Sequence, residues 1–317
     1  MASAAGEGKL SGAVASKLGE NLHLRAGHPL NIVKETIEQH FTSLDNSAFV
    51  CYDQLDPEVT VQANFDDLLI PKDHVSRSPT DTFYIGDDKV LRTHTSAHQV
   101  ELMRQGNRAF LCTGDVYRRD TVDRTHYPVF HQTEGLRIFE QWGDGEHASK
   151  KVEADMKETL DGLVRALFGD VEMRWNPDYF PFTDPSWELE IRFNGEWTEV
   201  LGCGVVRQEI LSTCGYGHAR AWAFGLGLER LAMILFNVPD IRLFWSRDSR
   251  FHEQVLLCTA SNYSLPGEDS TCHVPCCLSF SSKEQNQDCT HRSHNSFHTA
   301  NTQSATKTCR SGLCVHT

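Results

Sequence analysis

The sequence predicts an α+β fold, an antiparallel β-sheet with helices packed on one side, and three observations predict it. Two stretches carry apolar residues at helical spacing, several shorter ones alternate with period two, and Phe193-Asn-Gly-Glu-Trp197 supplies a reversal between two of them. Strands dominate between and after the helical stretches instead of alternating with them, which argues against a βαβ winding.

The first helix is expected over Pro29–Phe41, where Leu30, Val33, Ile37 and Phe41 share one face and Pro29 stands at the first turn. Strands follow over 48–52, 108–116 and 129–138. A second amphipathic helix, Val152–Phe168, has Met156, Leu160, Leu163, Val164 and Leu167 as its apolar stripe. Strands 189–193 and 198–201 flank the Asn194-Gly195 turn, whose residues readily take the positive φ angles of a tight hairpin.

All six tryptophans fall within 22–251, the predicted folded body. Residues 1–21 are expected to be a flexible N-terminal segment. Residues 252–317 are rich in Ser, Thr, His, Cys, Asn and Gln and show no sustained period, so they are expected to be a low-complexity, disordered tail. A zinc module built on Cys272, Cys276, Cys277, Cys289, His291 and His294 is the alternative, but these spacings match no tetrahedral signature well.

Composition narrows the function classes. The chain has 317 residues, 39% of them apolar, enough for one large or two ordinary domains. No apolar run approaches the roughly 20 residues of a membrane helix, so no membrane association is expected. A net charge of −13 leaves RNA only local basic patches, around Arg118, Arg119 and Arg124. Of eleven cysteines, seven lie in the 258–314 stretch, a distribution unlike a disulfide framework. The first residues lack a secretory apolar core, and Lys9, Lys17 and Arg25 interspersed with Glu7 and Glu20 make a weak mitochondrial presequence.

Five blocks carry the chemistry. In Leu91-Arg-Thr-His-Thr-Ser-Ala-His-Gln99, the side chains of His94, Ser96 and His98 fall on one side if the chain is extended; the competing reading is a polar edge followed by a helix cap at Ser96. In Gly114–Glu134, two strands flank a charged loop. Arg118 stands at the end of the first, where a guanidinium can grip phosphoryl oxygens in pairs. Gln132 and Glu134 share a face of the second, and an amide beside a carboxylate suits an ammonium group.

Phe180 and Phe182, two apart, can line an apolar wall or simply fill a core. Glu199-Val-Leu-Gly-Cys-Gly204 follows with Gly202 and Gly204, which permit close approach of a ligand or of backbone. Last, Ala223-Phe-Gly-Leu-Gly-Leu-Glu-Arg-Leu231 runs from a glycine-rich strand end into a helix. A dinucleotide fingerprint fails there because Arg230 occupies the third glycine position; an arginine in the first helical turn instead suits triphosphate.

Together these blocks resemble class II aminoacyl-tRNA synthetases, and among them the phenylalanine–tRNA ligases. Val116-Tyr-Arg-Arg-Asp120 through Phe130-His-Gln-Thr-Glu134 resembles the class's second motif, and Gly225-Leu-Gly-Leu-Glu-Arg-Leu231 its third. Thr93–His98, Tyr179–Thr183 and Glu199–Gly204 are similar to the phenylalanine-specific elements, and Ile241-Arg-Leu-Phe-Trp245 is most similar to the single-chain mitochondrial type.

The resemblance implies a catalytic domain over 22–251 with a six- or seven-stranded sheet. It implies activation of phenylalanine by ATP and Mg2+, then transfer to the acceptor end of tRNA(Phe). By position, Arg118 and Arg230 would be the catalytic arginines on the α- and γ-phosphates. His126, Phe130 and Glu199 would lie at ATP, with Glu199 also at the magnesium. The phenylalanine contacts would be His94, Ser96, Ala97, His98, Gln99, Gln132, Thr133, Glu134, Phe180, Phe182, Gly202, Ala223, Phe224 and Gly225.

The resemblance further implies a monomer in the mitochondrial matrix, with cytosol as the fallback. Two departures stand out: the tail replaces the family's ferredoxin-like anticodon-binding domain, and the connection 139–150 is short for the family, which bears on closure of the sheet. The first departure leaves a second reading, a non-charging isoform that binds phenylalanine, ATP or a partner protein.

Overall fold

The computed structural model describes residues 12–44, 49–143, 145–248 and 250–251. Their elements, in chain order, begin with α1 (Gly12–Ala15), α2 (Pro29–Thr42), β1 (Val50–Tyr52), β2 (Glu58–Thr60), α3 (Val61–Asn64), β3 (Lys89–Leu91), α4 (Gln99–Arg104) and β4 (Ala109–Tyr117). They continue with β5 (Val129–Phe139), α5 (Glu146–Phe168), β6 (Met173–Asp178), β7 (Thr183–Phe193), β8 (Glu196–Val206), α6 (Gln208–Thr213), β9 (Arg220–Gly227) and α7 (Leu228–Leu235).

Seven strands form one sheet in the order β1-β4-β5-β9-β8-β7-β6, and β2 with β3 forms a separate ribbon. Every pairing in the large sheet is antiparallel except β1 with β4, which is parallel and corrects the all-antiparallel expectation at one edge. The opposite edge strand, β6, contains Pro177, which lacks the N–H that an interior strand would need. Asn194 and Gly195 have φ of 50° and 85°, the positive angles expected of the β7–β8 reversal.

Alternation along the strands sorts the side chains onto two faces. On one face lie α2, α5 and α7: Phe41 of α2 stacks on Phe224 of β9 with ring centres 5.1 Å apart, and Val152, Met156, Leu160 and Leu163 of α5 are fully buried. Each such aliphatic side chain contributes about 1.5–3 kcal/mol by leaving water. Helices are not confined to that face, as the sequence suggested. The short α4 and α6 cover one end of the other face, packing Val100, Met103 and Ile210 against Phe110, Leu136 and Ala221.

Several boundaries differ from expectation, with β7 and β8 extending to Thr183–Phe193 and Glu196–Val206. Helix α5 starts six residues early, at Glu146, because its first turns are polar and carry a Glu146–Lys150 ion pair instead of an apolar stripe. The short connection before it does not interrupt the sheet, since β5 runs unbroken to Phe139. Residues 12–21 are not a loose leader: Val14 is buried in a cluster with Phe83, Leu91, Tyr117 and Val129. Residues 1–11 and the expected tail, 252–317, with its zinc alternative, lie outside the described residues. No helix among the described residues is long and apolar enough to cross a membrane.

Candidate functional site

The end of the sheet left uncovered by α4 and α6 holds a cavity of about 550 Å3. Its floor follows from strand register: Glu134 of β5, Gly225 of β9 and Gly202 of β8 are direct partners across three adjacent strands. One carboxylate thus faces two positions without side chains, and a trough runs across the sheet. A Cβ at Gly225 would meet nothing within 4 Å, whereas one at Gly202 would lie 2.6 Å from Cζ of Phe180. Gly225 opens the trough, and Gly202 admits the Phe180 ring to its end.

Phe180 and Phe182 form the apolar wall from the turn before β7, their rings nearly parallel with centres 6.0 Å apart. Ala223 lies beside them in the lining. Opposite stands the chain from Thr93 to Gln99. It is not extended there: Thr95–His98 is a 3-10 turn leading into α4, so the three-residue alignment of His94, Ser96 and His98 fails. His94, Ser96 and Gln99 reach the cavity. His94 is half-buried with both ring nitrogens shut off from water, and that desolvation together with the neighbouring Arg118 lowers its pKa to about 3, which leaves the ring neutral at physiological pH.

Glu134 sits under this wall. Gln99 donates from Nε2 to Glu134 Oε2 at 3.4 Å, and the Oε1 atoms of both residues are buried without a hydrogen-bond partner. Burial pushes the Glu134 carboxyl up to about 8, opposed by Ser96, Gln99 and Arg92. Two converging acceptors without donors, one of them a carboxylate short of positive charge, make a receptor for an ammonium group. Gln132, on the same face of β5, also lines the cavity.

Toward the mouth the chemistry changes. Arg118 follows the end of β4, held by Nε–H donation to Thr93 O at 2.9 Å, and its guanidinium lies 5.0 Å from the centre of the Phe130 ring. Burial and the nearby Arg230 depress its pKa, with Asp120 opposing. Arg230, in the first turn of α7, is ion-paired with Glu199 of β8, and both are substantially exposed. Two guanidiniums close enough to disfavour each other's charge, beside an aromatic ring, suit a polyanion carrying a flat base.

Several expected site residues lie elsewhere, and strand period explains two. Thr133 faces the helix side, where its hydroxyl bonds that of Thr113 at 2.8 Å, and the Phe224 ring is on Phe41. Phe224 nonetheless remains among the residues that line the cavity. Ala97 is core, packed with Phe65, Leu68 and Val90. His98 turns away from the cavity onto Arg92, and His126 is exposed in the loop after β4, bound to Asp123 at 2.9 Å. Conversely, His74, Val75, Ser76 and Asp81 complete the rim. Their stretch, Ser76-Arg-Ser-Pro-Thr-Asp81, signals only a turn.

Residues 15–255 match the family described as tRNA synthetases class II core domain (F). Over 242 residues the chain is 57% identical to the chloroplastic/mitochondrial phenylalanine–tRNA ligase of Arabidopsis thaliana, covering 75% of this chain and 56% of that protein. It is 50% identical over 272 residues to the mitochondrial phenylalanine–tRNA ligase of Dictyostelium discoideum, covering 78% and 60%. With a probable mitochondrial phenylalanine–tRNA ligase of Drosophila melanogaster it shares 44% identity over 309 residues, covering 83% and 68%. The chain thus spans about three fifths of the length of the first two. A solved pyrrolysyl-tRNA synthetase from Desulfitobacterium hafniense has the same fold, with TM-score 0.53 at 14% identity, covering 74% of this chain and 79% of that one.

Proposed function

This chain belongs to the class II tRNA synthetase core family, among the phenylalanine–tRNA ligases, and from that premise we propose that it activates phenylalanine with ATP and passes it to tRNA(Phe). The observation that carries the reading is one cavity lined by Gln99, by an apolar wall of Phe180, Phe182 and Ala223, and by Arg118, with the unpartnered Oε1 atoms of Gln99 and of its hydrogen-bond partner Glu134 buried at its wall. An amino acid with an aromatic side chain matches each part.

In the first step a phenylalanine carboxylate oxygen forms a bond to the α-phosphorus while the bond to the β-phosphate bridge oxygen breaks, and pyrophosphate leaves with that electron pair. No protein nucleophile takes part. Glu134, Gln99 and Ser96 hold the ammonium group, Gln132 and the neutral His94 lie beside the reacting carboxylate, and Gly225 leaves room for it. Arg118 stabilises charge on the α-phosphoryl oxygens and Arg230 binds the γ-phosphate, with adenine stacked on Phe130. Catalysis is therefore positioning plus charge stabilisation.

Mg2+ binds through one or two carboxylates together with phosphate oxygens, and Glu199 at the mouth fits that pattern; no group of three or more candidate ligands stands among the described residues. Held there with the triphosphate, magnesium would neutralise phosphoryl charge. In the second step the acyl group moves to the terminal ribose of tRNA, whose acceptor end would meet Arg119 and Arg124 on the segment that follows β4. The chain's place of action on this reading is the mitochondrial matrix, where it would work as a monomer; the relatives' names support the mitochondrion alone. ATP–pyrophosphate exchange with each amino acid in turn tests the reading: phenylalanine alone should support strong exchange, and exchange with an unrelated amino acid but not phenylalanine would overturn it.

A further inference from the structure

Behind the cavity wall lies a buried guanidinium that is not among the lining residues. Arg92 is 1% exposed. Nε–H donates to Asp115 O at 2.7 Å and Nη2–H to Asp115 Oδ1 at 2.8 Å. Nη1–H donates to Leu55 O at 3.2 Å and to His98 Nε2 at 2.9 Å. One side chain thus joins β4, the loop before β2 and the turn Thr95–His98. Gly114 makes the arrangement possible, because a Cβ there would lie 2.0 Å from Arg92 Nη2.

A buried ion pair is costly to build and often contributes little net stability, so a specific arrangement is the better-supported use for it. Here the arrangement concerns the turn that carries Ser96 and leads into Gln99. The His98 ring accepts from Arg92 and is held neutral, its pKa lowered to about 4 by burial and by that guanidinium. His98 is the side chain of the turn that Arg92 binds, while Ser96 and Gln99, from the same turn and the residue after it, contact Glu134. The neighbouring Thr93 is secured separately: Asn64 accepts from its N–H and donates to its hydroxyl, both at 3.0 Å, and Thr93 O in turn receives Arg118. The nucleotide half thus has an anchor in Asn64 that does not use the Arg92 side chain, and its other tie to residue 92, Tyr117 N–H donating to Arg92 O at 2.9 Å, is a backbone bond that a substitution at 92 leaves in place.

We propose that Arg92, through His98, is a positioning residue for the amino-acid half of the site, seating the Ser96–Gln99 segment over Glu134 while leaving the nucleotide half alone. The inference rests on the phenylalanine-activating reading above. Lysine could keep the charge opposite Asp115, but it lacks the planar fork that reaches Leu55 and His98 together.

The test is ATP–pyrophosphate exchange on the full chain, with KM for phenylalanine and for ATP measured separately in Arg92→Lys, His98→Leu and His98→Gln. Arg92→Lys and His98→Leu should raise KM for phenylalanine about tenfold or more and leave KM for ATP within about twofold. His98→Gln, which retains an acceptor, should recover most of that loss. The His98 pair decides the matter should Arg92→Lys fail to fold. A parallel rise in both KM values, no change in either, or equal effects of Leu and Gln at 98 would overturn the proposal. Wild-type protein that folds but shows no phenylalanine-dependent exchange would instead overturn the functional reading beneath it.

Discussion

Glu229 grips His131 twice: its Oε1 accepts from the ring Nδ1–H at 2.7 Å and its Oε2 from the backbone N–H at 2.8 Å. Strand β9 pairs with β5 only as far as Gln132 opposite Gly227, so the carboxylate supplies the acceptor that the departing strand no longer offers. It also ties the first turn of α7, and with it Arg230, to the stretch of β5 that carries Phe130. Glu229→Gln keeps an acceptor for one of the two His131 donors and sets an amide N–H against the other. Chemical denaturation should show a loss of about 1.5–3 kcal/mol, the range for hydrogen bonds to charged groups. KM for ATP should rise more than KM for phenylalanine.

Glu134 gives a pH dependence of defined sign. Its folded pKa, about 8, lies above its ordinary value, so between the two the folded chain keeps a proton that the unfolded chain has lost. Stability from this group is full below the ordinary carboxylate range and declines as pH rises toward 8. Glu134→Gln removes that decline, so the unliganded variant should melt higher than wild type at pH 8 and differ less at pH 5.

An arriving ammonium favours the ionised carboxylate, so phenylalanine binding near pH 7 should release a proton. Calorimetry in buffers of different ionisation enthalpy measures it. The release should diminish above about pH 9, where Glu134 is already ionised.

Gly202 and Gly225 should separate packing from ligand space. Alanine at 225 enters open room, so thermal stability should stay near wild type while phenylalanine binding weakens. Alanine at 202 must displace Phe180, whose ring lies 2.6 Å from the new methyl, so both the melting temperature and phenylalanine affinity should fall. Differential scanning calorimetry paired with phenylalanine titration distinguishes the two.

Local patterns made part of this legible. The α2 stripe, the Asn194-Gly195 reversal and the Gln132–Glu134 face follow from periods of 3.6 and 2 and from turn chemistry, and each is present. The short strands β2 and β3 carry too few residues for a period to show, and the parallel placement of β1 beside β4 depends on contacts far apart in sequence. In the site, a contiguous motif overstated the contacts. Ala97, His98 and Thr133 stand within the same motifs as lining residues, but a helical turn or the strand alternation points them elsewhere. Arg92 and Glu229 are illegible for the converse reason: each is one charged residue beside a residue of the site, and only the packed structure shows what it holds.

The central claim is that one cavity joins an amino acid to the α-phosphate of ATP, with Arg118 on the reacting phosphoryl group. Single-turnover formation of phenylalanyl-adenylate by wild type and Arg118→Ala, compared at equal folded fraction, tests it most directly. Wild type should form the adenylate only with phenylalanine and ATP together, and the variant should be slower by about 100- to 1,000-fold, as for removal of one oxyanion donor. Equal rates in the two proteins, or no adenylate from folded wild type, would contradict it.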